Sequence, residues 1–306
     1  MNFQSKRVAV IYNPKGGSAK AGAIDRLKSA LAAKGIELIQ YTTSAAPGSA
    51  RDLARQASAE GVDLVIACGG DGTVCQVAEG LMGTQTPMAV LPGGTGNLFA
   101  RAFYATPDAS RLVELISMGQ PQALDMVRLK YRDLNGADHE QLFLVAIGLG
   151  KISDAISGAS PAMKRRFGKL TYVVRMLAAC FSPKPVTYVI TSEENNVRVT
   201  ARSSALFALN AVPPSMATIS RACNASDGLI DVVALKATGF FSLLFLAARC
   251  ALGRPDLSPH YQRVRTKSVR IETDRPVCPN IDGDPGQMTQ SMEITTMPQA
   301  VRVIVS

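Results

Sequence analysis

ACGGDGTVCQVAEGL, residues Ala67–Leu81, decides how this chain must fold. It completes the run DLVIAC (Asp63–Cys68), short, apolar and β-branched, which reads as a strand buried on both faces. From Val74 to Met82 the spacing is helical. Between them stand Gly69, Gly70, Asp71, Gly72 and Thr73. A buried strand that passes through glycines straight into a helix is half of a βαβ unit. Glycines at that turn let backbone N–H groups come close to a ligand, and helix N-termini favour anions.

The same rhythm extends outward. RVAVIY (Arg7–Tyr12), IELIQY (Ile36–Tyr41) and PMAVL (Pro87–Leu91) read as further strands. Helical patterns follow at Ala21–Lys34 and Ser49–Glu60, each closed by a glycine, and another helix follows PGGTGN. Strands alternating with helices give a doubly wound parallel α/β sheet, whose ligands bind beyond the carboxyl ends of the strands. After about Asp125 the pattern changes. VRLKYR, QLFLVAIG, VTYVITS, NVRVTARSSALFALNAV, GLIDVVAL, SVRIET and RVIVS are alternating or β-branched. They predict an antiparallel β-sandwich with a few helices, at Gly168–Cys180 and Phe240–Leu252. We therefore expect a nucleotide-binding α/β domain at 1–127 and a β-rich domain at 128–306, with residues 296–306 packing back on the first.

Composition narrows the chemistry. The six cysteines are scattered, with no CxxC pair, and read as small buried hydrophobes. Two histidines, His139 and His260, leave little scope for a zinc site or a Ser-His-Asp triad, so acid–base work falls to carboxylates. The net charge of +9 favours a polyanionic partner: phosphates, nucleic acid or an anionic membrane. With no Trp and no basic stretch interleaved with aromatics, nucleic acid is disfavoured. No apolar run reaches the roughly 20 residues that cross a bilayer. The start reads as a first strand rather than a signal peptide, so a cytoplasmic protein is expected.

Three loops follow three strands of the first domain: Asn13-Pro14-Lys15-Gly16-Gly17-Ser18, Gly69-Gly70-Asp71-Gly72-Thr73, and Pro92-Gly93-Gly94-Thr95-Gly96-Asn97. One such turn would mean little, since packing alone can require glycine. Three at one sheet edge read as a phosphate cradle, with Thr73 and Thr95 as hydroxyl donors. None has the spacing of a P-loop or of the usual dinucleotide fingerprint. Read alone, Asp71 is either a functional acid or an N-cap, Asp125 a functional acid or an ordinary strand-start residue, and Asp227 a turn residue.

NPKGG, GGDGT and PGGTGNLFAR together resemble the diacylglycerol kinase catalytic-domain family, which includes bacterial lipid kinases and sphingosine kinases. ALDMVRL (123–129), NASDGLIDVVAL (224–235), NIDGDP (280–285) and MPQAVRVIVS extend the resemblance over nearly the whole chain. GGDGT alone is shared with NAD kinases and, loosely, phosphofructokinases, whose α/β domain is similar. The resemblance implies an ATP- and Mg²⁺-dependent lipid kinase. ATP would be held by Asn13, Pro14, Lys15, Gly16 and Gly17, by Thr43 (or Thr42), by Gly69, Gly70, Asp71, Gly72, Thr73, Val74 and Cys75, and by Thr95 and Asn97. Asp282 and Asp284 would activate the lipid hydroxyl, and Asp125 would join Asp71 around catalytic Mg²⁺. A separate structural metal would be held by the Asp227 side chain and by backbone carbonyls near Asn224 and Leu229.

Three departures stand out. Asp284 replaces the family's usual Glu and sets its oxygens back by about 1.5 Å, and a shift of that order can cost about 10²-fold in rate. Cys75 replaces a frequent Asn. Pro213–Thr218 replaces a glycine-rich run. An NAD kinase-like enzyme, or a nucleotide-binding regulatory protein weakened by the Glu-to-Asp change, are the alternatives. FFSLLFLAAR (240–249) is apolar and too short to span a bilayer. It reads as a buried helix or as an interfacial element, which with the +9 charge predicts peripheral association with an anionic membrane.

Overall fold

The computed structural model describes residues 7–14, 21–104, 109–118, 120–150, 185–203, 205–212, 219–220, 223–236 and 240–305. The chain forms two compact units, Met1–Met126 with Pro298–Ser306, and Val127–Met297.

In the first unit β1 (Arg7–Tyr12), β2 (Glu37–Thr42), β3 (Leu64–Gly69) and β4 (Met88–Pro92) run parallel in the order β2-β1-β3-β4. Val8 sits in register with Leu38 on one side and Leu64 on the other. Central parallel strands are covered on both faces, which is why the β3 sequence is one unbroken buried run. The edge strand β2 is only half-buried. Helix α1 (Ala21–Ala32) packs with α5 (Ala109–Met118), and α2 (Ser49–Ala59) with α3 (Asp71–Leu81). Right-handed crossovers require this division of helices between the two faces. The chain moves to one side of β1 for β2 and to the other for β3, so the strand order reverses there. That reversal opens a crevice beyond the carboxyl ends of β1 and β3.

The chain's end joins this sheet. Val303, near the end of β16 (Thr289–Ile304), pairs in parallel with Met88. Tyr104 follows α4 (Leu98–Phe103) and is buried. Its hydroxyl donates to the Ile304 carbonyl (2.6 Å) and accepts the Val90 N–H (3.1 Å). Burial raises its pKa well above the ordinary phenol value.

The second unit is a β-sandwich. Its strands are β5 (Pro121–Arg132, entering from the first unit), β6 (Asp138–Phe143), β7 (Ala146–Leu149), β8 (Val186–Ser192), β9 (Val197–Ser203), β10 (Ala205–Leu209), β11 (Ile230–Leu235), β12 (Tyr261–Thr266), β13 (Ser268–Val277), β14 (Asn280–Ile281) and β15 (Asp284–Pro285). One sheet runs β9-β8-β13-β16-β5-β6 and the other β12-β11-β10-β7-β14-β15. Leu129, Tyr188 and Ile271 of the first meet Ile147, Leu206 and Val232 of the second in a common core. On the reverse face of β10, Ala205, Phe207 and Leu209 pack with Val233 and with Leu246 of α6 (Phe240–Ala251). Cover on both faces explains why ALFAL carries no alternation.

The architecture is the one expected: a doubly wound parallel α/β sheet and an antiparallel β-sandwich. Local differences have physical causes. Helix α3 begins at Asp71, not Val74, because a first turn tolerates glycine and favours an acid. Strand β5 passes unbroken through 125–127. QLFLVAIG is two strands, parted at Leu144-Val145. The expected helix at 168–180, the basic cluster 164–166 and the segment 213–218 lie outside the described residues.

Candidate active site

Two of the three glycine-rich loops meet in backbone contact. Gly93 N–H donates to the Gly69 carbonyl (2.8 Å). A Cβ on Gly94 would stand 2.6 Å from the Gly70 Cα, so nothing larger than glycine lets the loops approach this way. Asn97, left-handed at φ 47°, staples its loop: its Oδ1 accepts the Gly94 N–H (2.7 Å) and its Nδ2 donates to the Gly94 carbonyl (2.9 Å). Thr95 is exposed at the loop's crest. The carboxyl end of β1 lies alongside: Asn13 N–H donates to the Cys68 carbonyl (3.3 Å), and Thr43 N–H to the Tyr12 carbonyl (2.9 Å). Pro14 follows in an exposed turn, while Lys15, Gly16 and Gly17 lie outside the described residues.

Asp71, Gly72 and Thr73 form the first turn of α3, with Gly70 as N-cap. The first turn of a helix has N–H groups with no carbonyl one turn back, which suits an anion. Asp71 does not cap its own helix. Its Oδ1 accepts the Phe99 N–H (3.1 Å) in the first turn of α4. Its Oδ2 faces Gly96, where a Cβ would intrude to 3.1 Å. A carboxylate is the oxygen ligand type that Mg²⁺ takes. Thr73 is buried and folds back on Gly69, and Cys75 is half-buried. Val74 is buried, and its N–H donates to the Gly70 carbonyl (3.0 Å). Asp125 is wholly buried on β5, and its Oδ1 accepts the Gln299 N–H (2.8 Å).

In the second unit, Asp282 and Gly283 form the two-residue turn between β14 and β15, at φ 48° and 101°. Positive φ at both positions marks a type I′ hairpin, for which Asp-Gly is a preferred pair. The turn leaves Asp284 exposed on β15. The Asp282 carboxylate points the other way. Oδ2 accepts the Leu144 N–H (2.8 Å), and Oδ1 accepts those of Val145 (3.0 Å) and Ala146 (2.8 Å). Its own N–H donates to the Ala146 carbonyl (2.9 Å). Asp282 thus clamps the hairpin to the β6–β7 connection, and its oxygens are occupied by amides. The sequence points to Asp282 as an acid acting on the lipid hydroxyl; the structure sets its carboxylate on these three amides.

Sequence reasoning missed the other side of this clamp. Asn210 Nδ2 donates to the Leu144 carbonyl (2.8 Å), and the N–H groups of Asn210 and Ala211 donate to that of Val145 (2.9 and 3.0 Å). Tyr131 also escaped notice: its hydroxyl accepts the Gln287 N–H (3.1 Å), tying the connection after the hairpin to β5. Neither carries a local signal, because each partner is far along the chain.

At the expected structural-metal position the Asp227 side chain is engaged by protein groups. Asp227 Oδ1 accepts the Leu229 N–H (3.0 Å), and its Oδ2 pairs with the Arg265 guanidinium. Asn224 Oδ1 accepts the Ser226 N–H (3.2 Å) within its own turn. Arg265 also lies 3.8 Å from buried Asp231. A fixed cation already stands between the two acids. Among the described residues no three His, Cys, Asp or Glu side chains gather as a metal cluster.

Residues 7–129 match the diacylglycerol kinase catalytic domain, and residues 147–305 match the YegS C-terminal NAD kinase beta sandwich-like domain. A diacylglycerol kinase of Mycobacterium tuberculosis is 27% identical over 308 residues, covering 97% of this chain and 94% of that one. One of Bacillus subtilis is 24% identical over 291 residues, covering 92% and 91%. A solved diacylglycerol kinase structure from Bacillus anthracis strain Sterne has a TM-score of 0.74 at 22% identity, over 99% of this chain and 98% of that one. A yeast NADH kinase complexed with NADH has a TM-score of 0.55 at 12% identity, over 99% and 84%. These two structures establish likeness of fold. The family match and the kinase relatives support a phosphotransferase. The chain belongs to the diacylglycerol kinase catalytic-domain family, with a YegS-type C-terminal domain.

Proposed function

We propose that the protein is an ATP- and Mg²⁺-dependent lipid kinase. It transfers the γ-phosphoryl group to a lipid hydroxyl, diacylglycerol first among candidates and a sphingoid base or another lipid behind it. The observation that carries this reading is the close approach of the Gly69–Thr73 and Gly93–Asn97 loops at the carboxyl ends of their strands. Backbone N–H groups there can surround phosphate oxygens, helped by Asn13, Thr43 and Thr95. Asp71, with Asp125, supplies oxygens for Mg²⁺, which would neutralise phosphate charge as transfer proceeds. Asp284 takes the lipid hydroxyl proton while its oxygen bonds to phosphorus and ADP leaves. Asp282 holds the hairpin that carries Asp284. We assign the reaction to the cytoplasmic face of the membrane. No described helix is long and apolar enough to cross one.

The test is incubation with γ-labelled ATP, Mg²⁺ and diacylglycerol, sphingosine, monoacylglycerol or phosphatidylglycerol in mixed micelles, with NAD as a separate arm. Label in one lipid, lost in Asp71→Ala and Asp284→Asn, is the expected result. Label in NAD would move the protein to the NAD kinase activity. ATP binding with no labelled product would favour the regulatory alternative, and Asp284→Glu would then show whether the shortened acid is the cause.

A further inference from the structure

Helix α6 is rich in apolar residues, and among its described side chains some are buried and others exposed. Leu246 is buried in the small core behind β10. Phe241 is 82% exposed, Phe245 43% and, just past the helix, Leu252 71%. Exposed Ala248 lies between them. Positions 241, 245, 248 and 252 are spaced i, i+4, i+7 and i+11, a single stripe along a helix. Leu257, in the 3-10 turn Pro255–Leu257, adds a further exposed apolar side chain at 52%.

Two arginines border the stripe, and one exposed acid, Asp256, stands at its Leu257 end. Arg249 stands 5.2 Å over the Phe245 ring, and exposed Arg254 follows the helix. No acidic residue occurs from 240 to 255. Aromatic side chains flanked by arginine, on a helix too short to span, match the interfacial zone of an anionic bilayer, where apolar burial and charge attraction add. An overall charge of +9 acts in the same direction.

We propose that the Phe241–Phe245–Leu252 stripe of α6 is the protein's membrane-docking element and seats in the headgroup region of anionic lipid. The proposal rests on the lipid-kinase reading for its purpose only, because docking is measured without turnover. The experiment is co-sedimentation with phosphatidylcholine vesicles, with and without phosphatidylglycerol, comparing the native chain with Phe241→Glu/Phe245→Glu and with Arg249→Glu. The native protein should pellet with the anionic vesicles and be released by salt. The double variant should bind at least about tenfold more weakly, and Arg249→Glu should lose most of the preference for anionic lipid. Both variants should keep the native melting temperature and the native rate on a dissolved short-chain diacylglycerol. Loss of that rate in every protein with docking intact would sink the kinase reading alone. Native protein that stays in the supernatant would overturn the proposal, as would a double variant that binds like the native chain. So would native dimerisation on raising protein concentration that the double variant abolishes, since the stripe would then join two copies.

Discussion

The Asp282 carboxylate accepts three backbone N–H bonds from the connection between β6 and β7, while Asp284, two residues on, lies exposed. Both are aspartates of one hairpin, so sequence alone gives them one role. Geometry separates them. Hydrogen bonds to a charged acceptor contribute about 1.5–3 kcal/mol each, and leaving buried donors without their acceptor costs more than the bond alone. Asp282→Asn turns an amide NH2 toward N–H donors. It should destabilise the fold by about 3 kcal/mol, with activity falling along with the folded fraction. Asp284→Asn touches nothing buried and should leave the melting temperature within the narrow range of surface substitutions. Its kcat should fall by about 10²–10⁴-fold, the usual contribution of a general base. Denaturant melts and single-turnover rates on the two proteins check this. Equal stability loss in both would refute the division of roles.

At the scale of elements, the parallel half was the more legible. Three of its strands, β1, β3 and β4, are short apolar runs closed by Asn-Pro or Gly-Gly. In the β half, β12 was missed because YQRVRT looks like a solvated basic stretch. Its arginines alternate with Val264, which faces the sandwich core. Strands β14 and β15, two residues each, are too short for any periodicity to reveal. The missed strand changes the reading of the site, because β12 delivers Arg265 to Asp227 and Asp231. A guanidinium there offsets the charge of both acids. Adding Mg²⁺ or a chelator to the substrate-free protein should leave its melting temperature unchanged. Arg265→Ala strands two acids, one of them buried, and should cost about 3 kcal/mol. A chelator that lowers the native melting temperature by several degrees would restore the metal.

For the whole molecule, stability against pH follows from carboxylates and a phenol that are bonded only when folded. In the second unit, the His139 hydrogen bond and the Ala137 N–H hold Asp133 below its ordinary range, and the Arg132 guanidinium does the same for Asp138. In the first, the Tyr41 hydroxyl bonded to Glu60 lowers that carboxyl, and the same contact pushes Tyr41 up to about 12. A depressed carboxyl stabilises fully above its unfolded value, near pH 4, and loses that contribution as pH falls through the lowered folded value. A raised phenol stabilises fully below its unfolded value, about 10, and loses it as pH climbs toward the folded one. The Tyr41–Glu60 bond joins β2 to the end of α2, so one contact weakens at both extremes. The melting temperature of the native chain minus that of Tyr41→Phe should therefore be flat from about pH 5 to 9 and shrink on either side. Asp133→Asn, which removes only a carboxylate, should narrow the gap on the acid side alone. A Tyr41→Phe difference that stays constant to the alkaline limit would mean the phenol does not stabilise the fold through this bond.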